Sequence, residues 1–136
     1  MTDEPIQVGL SKEGHEKLLR LKEDGHFAEM ADAYRFAIAL AIAHGVSPDD
    51  KALRSGPTIL NTGSLDPDRN LYTVIKALFS PVSEPVYKLA EKLAEWGVHE
   101  LYRLSESGVI PIADLIDEAN RLVLDAELTG LDGQGN

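Results

Sequence analysis

The sequence predicts an all-α protein, mainly a helical bundle, with one short N-terminal β-strand. Three observations carry this. The stretch Phe27 to His44 reads AIALAIA from Ala37 to Ala43, apolar on every side, and keeps its polar residues Glu29, Asp32 and Arg35 in its first half. A surface helix would show a polar face at 3.6-residue spacing, so the second half must be buried, in the domain or against a second copy. Later runs space their apolar residues for one helix face, as in Leu71, Val74, Ile75 and Leu78. Only Ile6 to Leu10 shows clear strand alternation, with Ile6, Val8 and Leu10 around Gln7 and Gly9.

The bulk composition fits a soluble globular chain. A length of 136 residues suits one domain with a real core. Cysteine is absent, so there is no disulfide framework and no thiolate chemistry. Seven apolar residues in a row are far short of the ~20 that cross a bilayer. The acidic start MTDEP does not read as a signal peptide, and the expected location is cytoplasmic. The net charge of −10 argues against a large phosphate-binding footprint, because Lys and Arg make most phosphate contacts. Residues 1–56 are the less acidic part, so any nucleic-acid face is expected there rather than in residues 57–136.

Taken in order, Met1 to Pro5 reads as a frayed arm. The strand of residues 6–10 leaves backbone groups unpaired unless it finds a partner. No second strand of equal clarity appears, so the economical partner is the same strand of another subunit. Ser11 is a good N-cap for a first helix from Lys12 to Asp24, with Glu13 in its first turn and Gly25 after its end. The hydrophobic helix follows and closes at His44-Gly45. Val46 to Pro67 is rich in turn signals, with Thr58-Ile59-Leu60 as a short extended piece. A third helix is expected from Asp66 or Pro67 to Phe79, and a fourth from Glu84 to Tyr102 or beyond, with Pro85 in its first turn and Gly97 as a break. Pro111 opens a fifth, with Ile112, Leu115, Ile116, Ala119, Leu122 and Val123 at core spacing. The expected organisation is one helical domain over 1–128, in parts 5–45, 46–66 and 67–128, and a glycine-rich disordered tail over 129–136.

Strand, capped helix, glycine turn and hydrophobic helix over residues 5–45 resemble the ribbon-helix-helix family. That resemblance implies strands of two subunits paired into a ribbon that enters the DNA major groove. Ile6, Val8 and Leu10 would face the core, and Gln7 and Gly9 would face outward, with Gln7 a suitable adenine reader.

A second resemblance spans residues 6–80. The order AEMADAYRFAIALAIAHG, linker, TILNTGSLDPDRNLYTVIKAL looks like the small E protein of the Dnd DNA-phosphorothioation systems, with Thr58, Leu60, Asn61, Thr62 and Gly63 matching its loop. It implies a compact, helical, oligomeric protein linked to DNA modification.

Candidate chemistry is sparse. His15, His26, His44 and His99 lack metal-ligand spacing. Asp66-Pro67-Asp68-Arg69-Asn70 begins like a calcium loop, but Leu71 stands where the turn glycine belongs and Ala77 where the bidentate Glu belongs; a turn and helix cap is the simpler reading. Asp49-Asp50 lies in a polar linker with nothing apolar to shift a pKa. Phosphate-cradling and nucleophile-elbow motifs are absent. Tyr87, Trp96 and Tyr102 suit packing better than base stacking, which needs a basic groove.

The leading expectation is a non-enzymatic DNA-associated or regulatory module, with no cofactor and no metal. It would oligomerise through its strand and second helix, and contact DNA through Gln7, Lys12, Lys17, Arg54 and Arg69. The alternative is a protein–protein adaptor subunit without DNA contact. The acidic charge and a strand face without Lys or Arg favour the adaptor; the topology favours the DNA module.

Overall fold

The computed structural model describes residues 4–48, 57–82 and 84–106. Among the described residues seven elements follow in chain order: β1 (Gln7–Gly9), α1 (Lys12–Glu23), α2 (Met30–Ala43), β2 (Thr58–Asn61), α3 (Thr62–Leu65), α4 (Asn70–Leu78) and α5 (Val86–Glu106). The chain is mainly helical, with one small antiparallel sheet. No helix among the described residues is long and apolar enough to cross a membrane. Arg54, the fifth helix expected from Pro111 and the tail lie outside the described residues.

The helix starts and stops follow local chemistry. Ser11 caps α1, its Oγ accepting from the Gly14 N–H at 3.0 Å. Gly25 and Gly45, at φ 85° and 70°, end α1 and α2 in the left-handed conformation that glycine adopts without cost. α4 starts later than the sequence suggests, at Asn70, because Asp66 stands outside it as a cap. Its carboxylate accepts from the N–H groups of Leu71 and Tyr72 at 3.0 and 2.9 Å.

α2 and α5 form the centre of the molecule. α2 is buried at Ala33, Tyr34, Ala37, Ile38 and Ala41, all at 0% exposure, and packs most extensively on α5. Most of its apolar half is therefore covered inside the chain, while Ala39, Ile42 and Ala43 are only partly buried. Gly97 does not break α5. The helix runs through it, and a Cβ there would overlap the carbonyl oxygen of Ala37. Glycine is the residue that lets the two backbones come this close.

The sheet departs most from the sequence reading. β1 pairs with β2 of the same chain, in the register Gln7↔Asn61, Val8↔Leu60 and Gly9↔Thr58, with a bulge between Val8 and Gly9. The partner expected from another subunit is thus Thr58–Asn61, the short extended piece in the linker. Val8 and Leu10 are core residues, but Ile6 is 81% exposed. Gly9, expected to face outward, is buried; the bulge breaks the alternation that the expectation assumed.

The start of the chain is fastened rather than frayed, at least from Glu4 on. The Glu4 carboxylate accepts from the N–H groups of Val86 and Tyr87 at 2.8 and 2.9 Å, and so caps α5. A carboxylate suits the positive end of a helix.

Candidate nucleic-acid interface

β1 and β2 together make a two-stranded ribbon, and its exposed face is polar. Gln7, Thr58 and Asn61 are all exposed. Thr58 Oγ1 donates to Gln7 Oε1 at 3.1 Å, and Gln7 Nε2 donates toward Asn61 Oδ1 at 3.4 Å. Register explains the cluster: Gln7 lies opposite Asn61, and Thr58 opposite Gly9. Two carboxamides therefore stand side by side on a strand pair. Each carries two N–H donors and a carbonyl acceptor, more than one mutual bond consumes.

The far side of β1 is closed at Gly9. The Gly9 N–H donates to Glu91 Oε2 at 2.8 Å, and its carbonyl accepts from the Tyr34 hydroxyl at 2.9 Å. Side chains of α5 and α2 thus hold the backbone groups that another strand would need there. Glu91 is only 4% exposed, and Lys88 approaches its other oxygen at 3.1 Å. Burial pushes the Tyr34 hydroxyl well above the usual tyrosine value, and the carboxylates of Glu91 and Glu95 push it the same way.

A hydrogen-bonded chain runs beside this junction. Glu95 accepts from the Ser11 N–H at 2.9 Å and from Ser11 Oγ at 2.7 Å, and its Oε2 meets His99 Nε2 at 2.7 Å. His99 Nδ1 in turn lies 2.8 Å from Lys17 Nζ. Lys carries donors only, so Nδ1 accepts from Lys17 and Nε2–H donates to Glu95. Burial acts to raise the Glu95 carboxyl, but the hydrogen bonds from Ser11 and His99 outweigh it and hold the group below its usual value. The order is serine, carboxylate, histidine. A nucleophile needs the imidazole next to the hydroxyl. Here the carboxylate stands between them, so the arrangement fastens β1 and α1 to α5.

The expected contact residues are dispersed. Gln7 is on the ribbon face, and Lys12 is exposed at the start of α1. Lys17 is half-buried, tied to His99 and lying 5.4 Å from the Tyr102 ring centre. Arg69 is exposed just before α4, stacked 4.2 Å over the Tyr72 ring. No hydrogen bond or ion pair joins these four to one another among the described residues. Likewise, no group of three or more His, Asp or Glu there could hold a metal. The fastening residues Glu4, Glu91 and Glu95 went unread. Glu91 and Glu95 carry one signal, their i, i+4, i+8 spacing with His99 along one helix face, and Glu4 carries none.

No family model, curated protein or solved structure matches this chain.

Proposed function

We infer that this chain is a non-enzymatic, DNA-associated or regulatory module whose nucleic-acid face is the outer side of the β1–β2 ribbon. The observation that carries the reading is the carboxamide pair of Gln7 and Asn61 on an exposed two-stranded ribbon. A major groove admits such a ribbon, and a carboxamide can make paired hydrogen bonds to adenine. The resemblance of residues 6–80 to a family linked to DNA modification points the same way. Lys12 and Arg69 supply phosphate contacts, and Arg54, which lies outside the described residues, is a further basic residue of the sequence between them.

With so few cations the affinity is weak and strongly salt-dependent. Each phosphate contact contributes roughly −0.9 to the slope of log K against log salt. A titration of duplex DNA at about 50 and 200 mM salt tests this. Binding at the lower concentration that fades at the higher is the expected result; no binding at about 50 mM removes the DNA reading.

A second reading, a protein–protein adaptor without DNA contact, is favoured by Lys17. That side chain, one of the two α1 cations expected to contact DNA, is half-buried and tied to His99. Together with the charge of −10, this leaves little to attract a phosphate backbone. If DNA is not bound, a pull-down with the ribbon face intact and with Gln7→Ala tests the adaptor.

A further inference from the structure

We propose that His99 is a pH-sensitive latch on the seam between α1 and α5, which holds Lys17 when neutral and releases it when protonated. Lys17 Nζ lies 2.8 Å from His99 Nδ1, and His99 Nε2 lies 2.7 Å from Glu95 Oε2. The two ring nitrogens therefore have opposite roles. Nδ1 offers its lone pair to an ammonium, and Nε2 points its proton at a carboxylate. Histidine is the side chain whose charge ordinarily changes between about pH 5 and 8.

A second proton can enter only at Nδ1, since Nε2 already holds one. It turns the acceptor that faces Lys17 into a donor. Two donors, both positive, cannot share a contact of 2.8 Å. The other side of the ring changes in the opposite sense, because an imidazolium binds the Glu95 carboxylate more tightly than a neutral ring does. Glu95 is itself fixed by the N–H and Oγ of Ser11. The ring thus stays with Glu95, and Lys17 is the group that moves.

The surroundings give Lys17 a second position. Glu13, Glu16, Arg20 and Tyr102 line an open pocket around it, and Glu13 and Glu16 are exposed. Glu13 stands four residues before Lys17 on α1, the favoured order for an ion pair along a helix. Arg20, on the other side of Lys17, repels it toward Glu13. On α5, Glu100 is paired with Arg103. From α2, the Tyr34 hydroxyl donates to the Gly9 carbonyl and stays neutral through this range, and the His44 ring packs on Trp96 at 5.3 Å. Lys17 therefore has two places, against His99 and Tyr102 or along α1 with Glu13, and the charge on His99 selects between them. The proposal does not depend on the DNA reading.

The test is NMR of the full chain, without DNA, between about pH 8 and 5.5. Glu95 stays charged across that window, because its carboxyl is held below 4.5. The nitrogen shifts of the His99 ring should show Nε2 protonated and Nδ1 bare at about pH 8. Nuclear Overhauser cross-peaks between the Lys17 Hε protons and the Tyr102 ring, now 5.4 Å from Nζ, should weaken about threefold or more by about pH 5.5. Lys76, at 5.8 Å from the Tyr72 ring centre, is the internal control and should not change. His99→Gln keeps an acceptor for Lys17 and a donor for Glu95 but takes up no proton, so it should retain the Lys17–Tyr102 cross-peaks throughout. His15, His26 and His44 remain in that variant, so a difference from wild type belongs to His99. A wild-type contact that survives at about pH 5.5 overturns the proposal. So does the opposite tautomer at about pH 8, or a loss of contact that His99→Gln shares. The first two outcomes need no variant, so the test is decisive even if His99→Gln folds poorly.

Discussion

Gly97 shows how one residue sets the spacing of the two central helices. Any added Cβ meets the backbone of Ala37, which cannot rotate away as a side chain would. Overpacking of this kind costs about 1–3 kcal/mol, and Gly97→Ala is expected at the upper end of that range. Chemical denaturation reads the loss directly; a variant as stable as the parent would place α2 and α5 further apart than described. In sequence, Gly97 reads equally well as a break, because a helical glycine carries the same local cost whether it ends a helix or admits a neighbour. Glu95 gives a second residue-scale prediction. Its folded carboxyl titrates below the ordinary value of 4.5, so its hydrogen bonds contribute stability that is fully present above that pH. The contribution is lost as pH falls below 4.5 and through the lower folded value. Glu95→Gln is therefore expected to be less stable than wild type near neutral pH, with the gap narrowing in acid. Thermal melts at about pH 6 and pH 3 decide it, and a gap that widens in acid contradicts the assignment.

At the scale of elements, Asp66 joins three pieces of the fold. It follows α3, caps α4 and accepts from Tyr87 on α5. Loss of a cap costs about 0.5–2 kcal/mol, and an orphaned buried hydroxyl about 1–3 kcal/mol. Asp66→Ala should then cost about 2–4 kcal/mol. Tyr87→Phe should cost less, and the double variant less than the sum, with a coupling near 1 kcal/mol. Strict additivity in that cycle would mean that the two groups do not interact. The same hydrogen bond leaves a second mark: burial first, and then Asp66, push the Tyr87 hydroxyl well above its usual value. Elements with local signals were legible. Ser11 and Gly25 bound α1 within a residue, and the AIALAIA run announced a buried α2. The partner of β1 was not legible, because Thr58 lies far along the chain from Gly9 and β2 is four residues long. Strand pairing is a property of the folded chain, and nothing within either segment encodes it. The candidate site shared that fate. Gln7 could be read as outward, but its neighbour Asn61 could be placed beside it only once the register was known.

For the whole molecule, the N-terminal segment and α5 are sewn together in both directions. Glu4 caps the first turn of α5, and Glu91 and Glu95 reach back from α5 to the backbone of Gly9 and Ser11. The stitching spans the first and last described elements, so it closes the chain into one cooperative unit rather than a core with an attached arm. A frayed arm and a sewn one differ in hydrogen exchange. Fraying segments open with a free energy near zero, whereas core elements open only with the whole domain. The amides of Gly9 and Ser11, bonded at 2.8 and 2.9 Å to carboxylates, should exchange with the same free energy as amides in the middle of α5, such as that of Leu93. Glu4→Ala removes two charge-assisted bonds at a helix start and should cost about 1 kcal/mol, lowering the melting temperature by roughly 3–6 °C. It should also lower the opening free energy at Gly9 and at Leu93 by the same amount, because both report one global transition. If Glu4→Ala speeds exchange at Gly9 alone and leaves Leu93 unchanged, then β1 opens independently, and a ribbon meant to present Gln7 and Asn61 would lack the rigid mount that paired recognition requires.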